Sequence, residues 1–162
     1  MLITLEKISK DDEKVLQNLM QYYIYEFSRY ITEIKLEENG AYDPFNLEKY
    51  CEEPNFHAYL IKLGEELIGF VLVESEAEEC PNTIHEFFII AKYEGKGFGK
   101  EAAHQIFKWF PGKWKLTQIE KNYRAQAFWR SLIFKLTDGN VTERYGENRL
   151  SIQEFHTDSF IK

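Results

Sequence analysis

Three glycines alternate at one place in this chain, Glu94-Gly95-Lys96-Gly97-Phe98-Gly99-Lys100, between an apolar run and a stretch with helical spacing. Glycine adopts positive φ without steric penalty and lets other groups approach the backbone closely. A turn of this kind can aim several peptide N–H groups at one point, with the positive end of the next helix behind them. That geometry binds phosphate or pyrophosphate, and Lys96 and Lys100 add positive charge. The P-loop is excluded: only three residues separate Gly95 from Gly99, and Lys100 is followed by Glu101 rather than by a hydroxyl that would hold Mg²⁺. The dinucleotide fingerprint G-x-G-x-x-G fails too, since the glycines here run G-x-G-x-G.

The surrounding charge agrees with a small polyanion. The chain of 162 residues has net charge −7, unevenly spread. Residues 1–90 carry 7 Lys/Arg against 19 Asp/Glu, residues 91–135 carry 10 against 3, and residues 136–162 carry 3 against 5. A nucleic-acid partner is not expected, because a duplex demands a broad basic face. Scatter of charge over a solvated surface is the plainer alternative. No run of about 18 apolar residues occurs and the N-terminus turns charged early, so neither a membrane span nor secretion is expected. The two cysteines, Cys51 and Cys80, form no C-x-x-C pair and read as reduced thiols in a cytoplasm. His57, His85, His104 and His156 are scattered without metal-ligand spacing, and there is no G-x-S-x-G elbow.

The elements that would position the turn follow from periodicity. Leu2–Ile8 alternates as a strand. Ser9, with Asp12 three residues later, opens a helix to about Arg29 through Val15, Leu16, Leu19, Met20, Tyr23 and Phe27. Residues 31–55 form a loop with a short helix near Asn46–Cys51. Phe56–Leu63 and Leu67–Glu74 make a hairpin about Gly64, and Thr83–Ala91 reads as a strand central to the sheet. The helix after the glycines has a core face of Phe98, Ala102, Ile106 and Phe110. A strand, Trp114–Ile119, precedes a helix opened by Asn122, with Ala125, Phe128, Leu132 and Ile133 inward. Val141–Tyr145 and Arg149–Phe155 close the chain as a hairpin. This order predicts one α/β domain over residues 1–162, with a mixed central sheet of six to seven strands flanked by helices.

At this point two signatures coincide. Glu94-Gly95-Lys96-Gly97-Phe98-Gly99 resembles the acetyl-CoA-binding motif Q/R-x-x-G-x-G/A of the GNAT superfamily of N-acetyltransferases, with Glu94 departing from its first position. Asn122-Tyr123-Arg124-Ala125-Gln126-Ala127-Phe128-Trp129 resembles the second signature, N-x-x-A-x-x-F-Y, with Trp129 in place of Tyr. The resemblance covers about residues 86–134.

It implies a fold and a set of roles. Amides of Glu94, Gly95, Lys96, Gly97, Phe98, Gly99 and Lys100 would hold the coenzyme A pyrophosphate. The backbone of Phe88, Ile89 and Ile90 would pair with the pantetheine arm, and Asn122 would hydrogen-bond the cofactor. Phe128 and Trp129 would border the channel or fill the core. The basic segment itself, rather than the resemblance, offers Lys92, Lys121 or Arg124 for the outer phosphate. The implied reaction is acetyl transfer from acetyl-CoA, without a metal, to an amine of a small molecule or peptide by direct attack. At pH 7 the neutral fraction of an amine with pKa about 10.4 is roughly 10⁻³·⁴, a penalty of about 4.6 kcal/mol that a base must offset.

Glu86, an acid inside an apolar strand, is the first candidate base, and Glu120 is another; an exposed Glu86 paired with a lysine is the alternative. His85 is expected on the opposite face from Glu86. Many relatives use the Tyr of the second signature as the acid, and Trp129 cannot serve. Either the thiolate leaves unassisted or takes its proton from water, or Tyr123 or Tyr145, otherwise packing residues, substitutes. The acceptor wall is expected from Tyr22, Tyr23, Tyr25, Phe27 and Tyr30, followed by Glu33, Glu37, Glu38 and Asp43, an aromatic and acidic surface suited to a cationic amine. The expected protein is a monomer or homodimer. A non-catalytic acyl-CoA-binding domain and a nucleotide-phosphate binder stand as rival readings.

Overall fold

A computed structural model describes residues 2–162. The N-terminal strand β1 (Ile3–Lys7) pairs antiparallel with β2 (Phe56–Leu63), β2 with β3 (Glu66–Glu74), and β3 with β4 (Thr83–Ile89), giving the order β1-β2-β3-β4. Ile68 and the run Phe70–Val73 are fully buried, so β3 is covered on both faces and reads as an unbroken apolar stretch. A β-carbon on Gly69 would run into the Phe88 carbonyl of β4, so this position needs glycine for the strands to approach.

The second sheet has β5 (Lys113–Gln118) beside β7 (Ser151–His156), and β7 beside β6 (Thr142–Tyr145). The sheets meet at one point. Asn82 donates from its N–H to Lys113 O at 2.8 Å, and its carbonyl accepts from Lys115 N at 2.9 Å. Its side chain, in a residue only 2% exposed, accepts from Glu76 N and donates to the carbonyls of Phe110 and Lys113. Beyond this parallel bridge β4 and β5 form no ladder, and the two strands part. The fold is therefore the expected mixed α/β arrangement with seven strands, but in two sheets. Thr83–Ala91 was expected at the centre of one sheet; β4 instead borders the split, with one edge left unpaired.

Four helices cover the sheets: α1 (Glu13–Phe27), α2 (Glu48–Glu52), α3 (Phe98–Trp109) and α4 (Tyr123–Thr137). Helix α1 buries Leu16, Leu19 and Met20 against Leu60, Phe70 and Leu72. The core face of α3 is wider than its i, i+4 spacing predicted. Ala102 packs on Ile3 and Ile61, while Ala103, Ile106 and Phe107 pack on Trp114 and Phe155. Phe98 and Phe110 lie at its half-buried ends. Each large side chain buried in this way contributes about 1.5–3 kcal/mol. The buried residues of α4 are Trp129, Leu132, Ile133 and Thr137, with Ala125 and Phe128 half-buried towards the split. No described helix is long and apolar enough to cross a membrane.

Candidate active site

The split between β4 and β5 opens into two adjoining cavities of about 380 and 440 Å³ that share Tyr23, Phe27, Phe87, Asn122, Ala125 and Trp129. One ends at the glycine turn. The other ends at Glu86.

The turn end is built from backbone. Gly95 and Gly97 hold φ of +72° and +87°, and Gly97 is the N-cap of α3. Among the described residues, no N–H from Gly95 to Lys100 finds an acceptor within the chain; the first amide of α3 to do so is Glu101, bonded to Gly97 O at 3.1 Å. A β-carbon at Gly95 or Gly97 would meet open space, so the amides are reachable from outside. Six consecutive unpaired donors at a helix N-terminus, four of them in residues that line the cleft (Gly95, Gly97, Gly99 and Lys100), suit an anion. At Gly99, by contrast, a β-carbon would touch Phe128 and Phe87, so glycine there lets α3 sit close to the cleft floor. That floor is aromatic: Phe87, Phe128 and Trp129 have ring centroids 4.8–6.0 Å apart.

Strand β4 presents its free edge along the same cleft. Ile90 N donates to Ile68 O at 2.8 Å, and the Phe88 carbonyl points at Gly69, so these two residues face β3. Antiparallel pairing alternates, which turns the amides and carbonyls of Phe87 and Ile89 to the split. Of the expected run Phe88–Ile90, only Ile89 turns its backbone to the split, and Phe87 does so beside it. Ile90 lies outside the cleft lining, as do Lys96, which is exposed, and Phe98, which packs on Tyr93.

The departure at Glu94 has a structural counterpart. Arg124, from the first turn of α4, reaches across the mouth and bonds the Glu94 carboxylate at 2.5 Å, which holds its guanidinium above its ordinary pKa. An exposed pair of this kind is worth only about 0–1 kcal/mol, so Arg124 can exchange the carboxylate for a phosphate at little cost. Lys100 also lines this end, whereas Lys92 is held by Glu66 at 3.0 Å and Lys121 lines neither cavity. Asn122 caps α4, accepting from Ala125 N at 3.1 Å through Oδ1, and lines both cavities.

At the other end a β-bulge sets the chemistry. Ile84 pairs with Val73 and Glu86 with Leu72, so His85 is the extra residue. The bulge overturns the expected alternation, and His85 and Glu86 both line the second cavity. His85 stacks on Phe56, 6.1 Å between centroids, and bonds Glu74 Oε1 at 2.7 Å. Glu86 is mostly buried, and burial raises its carboxyl above the ordinary carboxylate range; the Tyr23 hydroxyl and His85 offset part of this. Tyr23 is itself pushed well above the usual phenol range, first by burial and then by the neighbouring Glu86 carboxylate. Burial and Glu86 raise Tyr50 in the same way.

Several expected residues are not brought here. Glu120 pairs with Arg149 at 3.2 Å in a separate depression that also holds Tyr123 and Tyr145, so neither the second candidate base nor the two substitute acids lines the cleft. Tyr22 and Tyr25 face solvent, while Tyr23, Phe27 and Tyr30 face the cleft. Glu33, Glu37, Glu38 and Asp43 are exposed and line neither cavity. The expected acidic acceptor surface is replaced by an apolar wall of Ile31, Ile34 and Phe45. The partnership of Tyr23 with Glu86 was missed, although Tyr23 and Phe27 follow Met20 at i+3 and i+7 on the helix face turned to the sheet. Arg124 was named, but not its bond to Glu94. Among the described residues no three His, Cys, Asp or Glu side chains gather as metal ligands.

Comparison with known proteins points the same way. Residues 17–134 match the family profile described as acetyltransferase (GNAT) family. No curated protein matches in sequence. Among solved structures, an acetyltransferase from Thermus thermophilus superposes with TM-score 0.66 at 16% identity, covering 96% of this chain and 97% of that one. A variant of spermidine N-acetyltransferase from Vibrio cholerae gives 0.66 at 14% identity, with 98% and 97% covered. A Bacillus anthracis protein solved in complex with acetyl coenzyme A gives 0.58 at 15%, with 96% and 99% covered. At these identities the likeness establishes the fold. The profile spans both glycine turn and second signature, and with the split sheet it makes the chain a member of the GNAT acetyltransferase family.

Proposed function

We propose that this protein transfers the acetyl group of acetyl-CoA to a primary amine by direct attack, with Glu86 as the base. The single observation that carries the reading is the run of amides, Gly95–Lys100, unpaired among the described residues, at one end of a cleft whose other end holds the half-buried carboxylate of Glu86. The complexed Bacillus anthracis structure shares the fold and supports the choice of cofactor.

The residues divide the work. The turn amides and the positive end of α3 bind the pyrophosphate, and Arg124 and Lys100 meet the phosphate charge. The free edge of β4 at Ile89 aligns the pantetheine arm, and Phe128 and Trp129 exclude water beneath it. Acetyl-CoA, when bound, would supply the thioester as acetyl donor, and the free edge amides of β4 would be available to stabilise the developing oxyanion. Glu86, beside Tyr23, takes one proton from the arriving ammonium. The freed nitrogen lone pair forms the N–C bond, the C–S bond breaks as the thiolate leaves, and the nitrogen releases its second proton to solvent. The thiolate takes its proton from solvent, because Trp129 has no acidity to offer. Burial of Glu86 makes it a stronger base than a surface carboxylate, which narrows the gap to the amine.

A second reading, binding of acyl-CoA without turnover, draws on Trp129 at the place of the usual Tyr. Calorimetry with acetyl-CoA and thiol release in the presence of amines separate the two. Binding together with amine-dependent thiol release supports transfer. Binding with no release on any amine supports the second reading, and absence of binding removes both.

A further inference from the structure

We infer that the acceptor is an amine bearing one positive charge on an apolar body, and that polyamines are poor substrates. The inference rests on the acetyltransferase reading and sharpens it.

The acceptor end of the cleft has a fixed shape. The segment that follows α1 folds back along that helix and is tied to it by two glutamines. Gln21 accepts from Tyr42 N at 2.8 Å and donates to Tyr42 O at 3.1 Å, and Gln17 donates to Phe45 O at 2.6 Å. These ties hold Ile31, Ile34 and Phe45 in the wall of the 440 Å³ cavity, with Ile24 and Met20 of α1 beside them. Across the cavity stand Leu116 and Ile119 of the β5 side.

Charge is scarce inside. Among the described residues lining this cavity, Glu86 is the carboxylate, and the other charged-capable groups are His85, held by Glu74, and the phenol of Tyr23. The four acids of the segment, Glu33, Glu37, Glu38 and Asp43, all stand on its outer side. One ammonium entering the cavity meets Glu86. A second ammonium on the same molecule would lie against Ile31, Ile34 and Phe45, with Glu74 already engaged by His85 and Glu26 in the adjoining cavity, and burying an unpaired charge is strongly unfavourable. An alkyl or aryl body, in contrast, gains from every apolar surface it covers.

The test compares 2-phenylethylamine and hexylamine with spermidine and putrescine, by thiol release at saturating acetyl-CoA and mildly alkaline pH. The expected kcat/KM for the two monoamines exceeds that for spermidine by about tenfold or more. In Ile34→Glu, which adds a carboxylate to the wall, the ratio should fall by about tenfold while calorimetric affinity for acetyl-CoA stays unchanged. Equal or faster turnover of spermidine by the wild type overturns the inference and leaves the acetyltransferase reading standing. Acetyl-CoA binding with no monoamine turned over also overturns it. Should acetyl-CoA itself not bind, the underlying reading fails and the inference falls with it. The wild-type panel decides the matter even if Ile34→Glu does not fold.

Discussion

The two ends of the cleft are built on opposite plans. The turn end takes its donors from six consecutive residues, and their side chains matter little: glycine is needed at Gly95 and Gly97 for the backbone angle and open approach. The Glu86 end takes its groups from α1, the segment after it, β4 and the end of β5, and its properties come from side chains held apart in sequence. Main-chain donors present the same chemistry whatever surrounds them, so the first end is suited to a ligand that never changes. The second end can be recast by exchanging a few side chains, which suits a variable acceptor. The difference teaches which changes should abolish binding and which should only redirect it.

The largest expected effect lies at the variable end. Glu86→Gln should lower kcat/KM by about 10²–10⁴-fold while acetyl-CoA affinity in calorimetry is unchanged, separating the two ends cleanly. The same variant carries a stability signature. Burial raises the folded-state pKa of Glu86, so folding favours its neutral form. That contribution is complete below the unfolded-state pKa and is lost as pH rises through the raised folded-state value. Thermal denaturation across pH should therefore find Glu86→Gln more stable than wild type on the alkaline side, with the gap closing on acidification. A gap that widened on acidification would contradict a buried, upward-shifted carboxyl.

At the constant end, Gly97→Val should weaken acetyl-CoA by about 100-fold. A β-branched residue at φ +87° is strained by a few kcal/mol, and its side chain would stand in the space before the amides. Circular dichroism should remain native, since no neighbouring atom is struck. Undiminished affinity would break the claim that backbone donors hold the anion.

Smaller effects sharpen the division. Arg124→Ala should weaken acetyl-CoA by about tenfold and flatten its salt dependence, because one charged partner is lost. Glu94→Gln should tighten it a few-fold by removing an anion beside the pyrophosphate and freeing Arg124. The reverse order of these two effects would show that Glu94, not Arg124, organises the mouth. Smallest of all, Glu120→Gln should leave kcat/KM within about twofold of wild type, since Glu120 pairs with Arg149 outside the cleft.

The same asymmetry governed what could be read before the structure. Helix and strand order followed from local periodicity, and all seven strands and four helices lie where the spacing put them, within a few residues. The alternation rule failed at His85, because a bulge is a property of a strand pair and is invisible in either strand alone. The reading of α3 was too narrow because an i, i+4 ladder assumes one partner surface, whereas α3 contacts two clusters. The acids after α1 were counted towards the acceptor from proximity in sequence; which side of the segment faces inward depends on Gln17 and Gln21 reaching across to it.

The amino-acid sequence by itself determined the glycine turn and its free amides, since peptide donors, glycine φ and the helix N-terminus are all set by contiguous residues. Only the tertiary structure decided the carboxylate's burial, its neighbour Tyr23, the Glu94–Arg124 bond and the apolar wall of Ile31, Ile34 and Phe45. Each of these depends on side chains brought together across the sheet by long-range packing, and burial is what shifts a proton affinity.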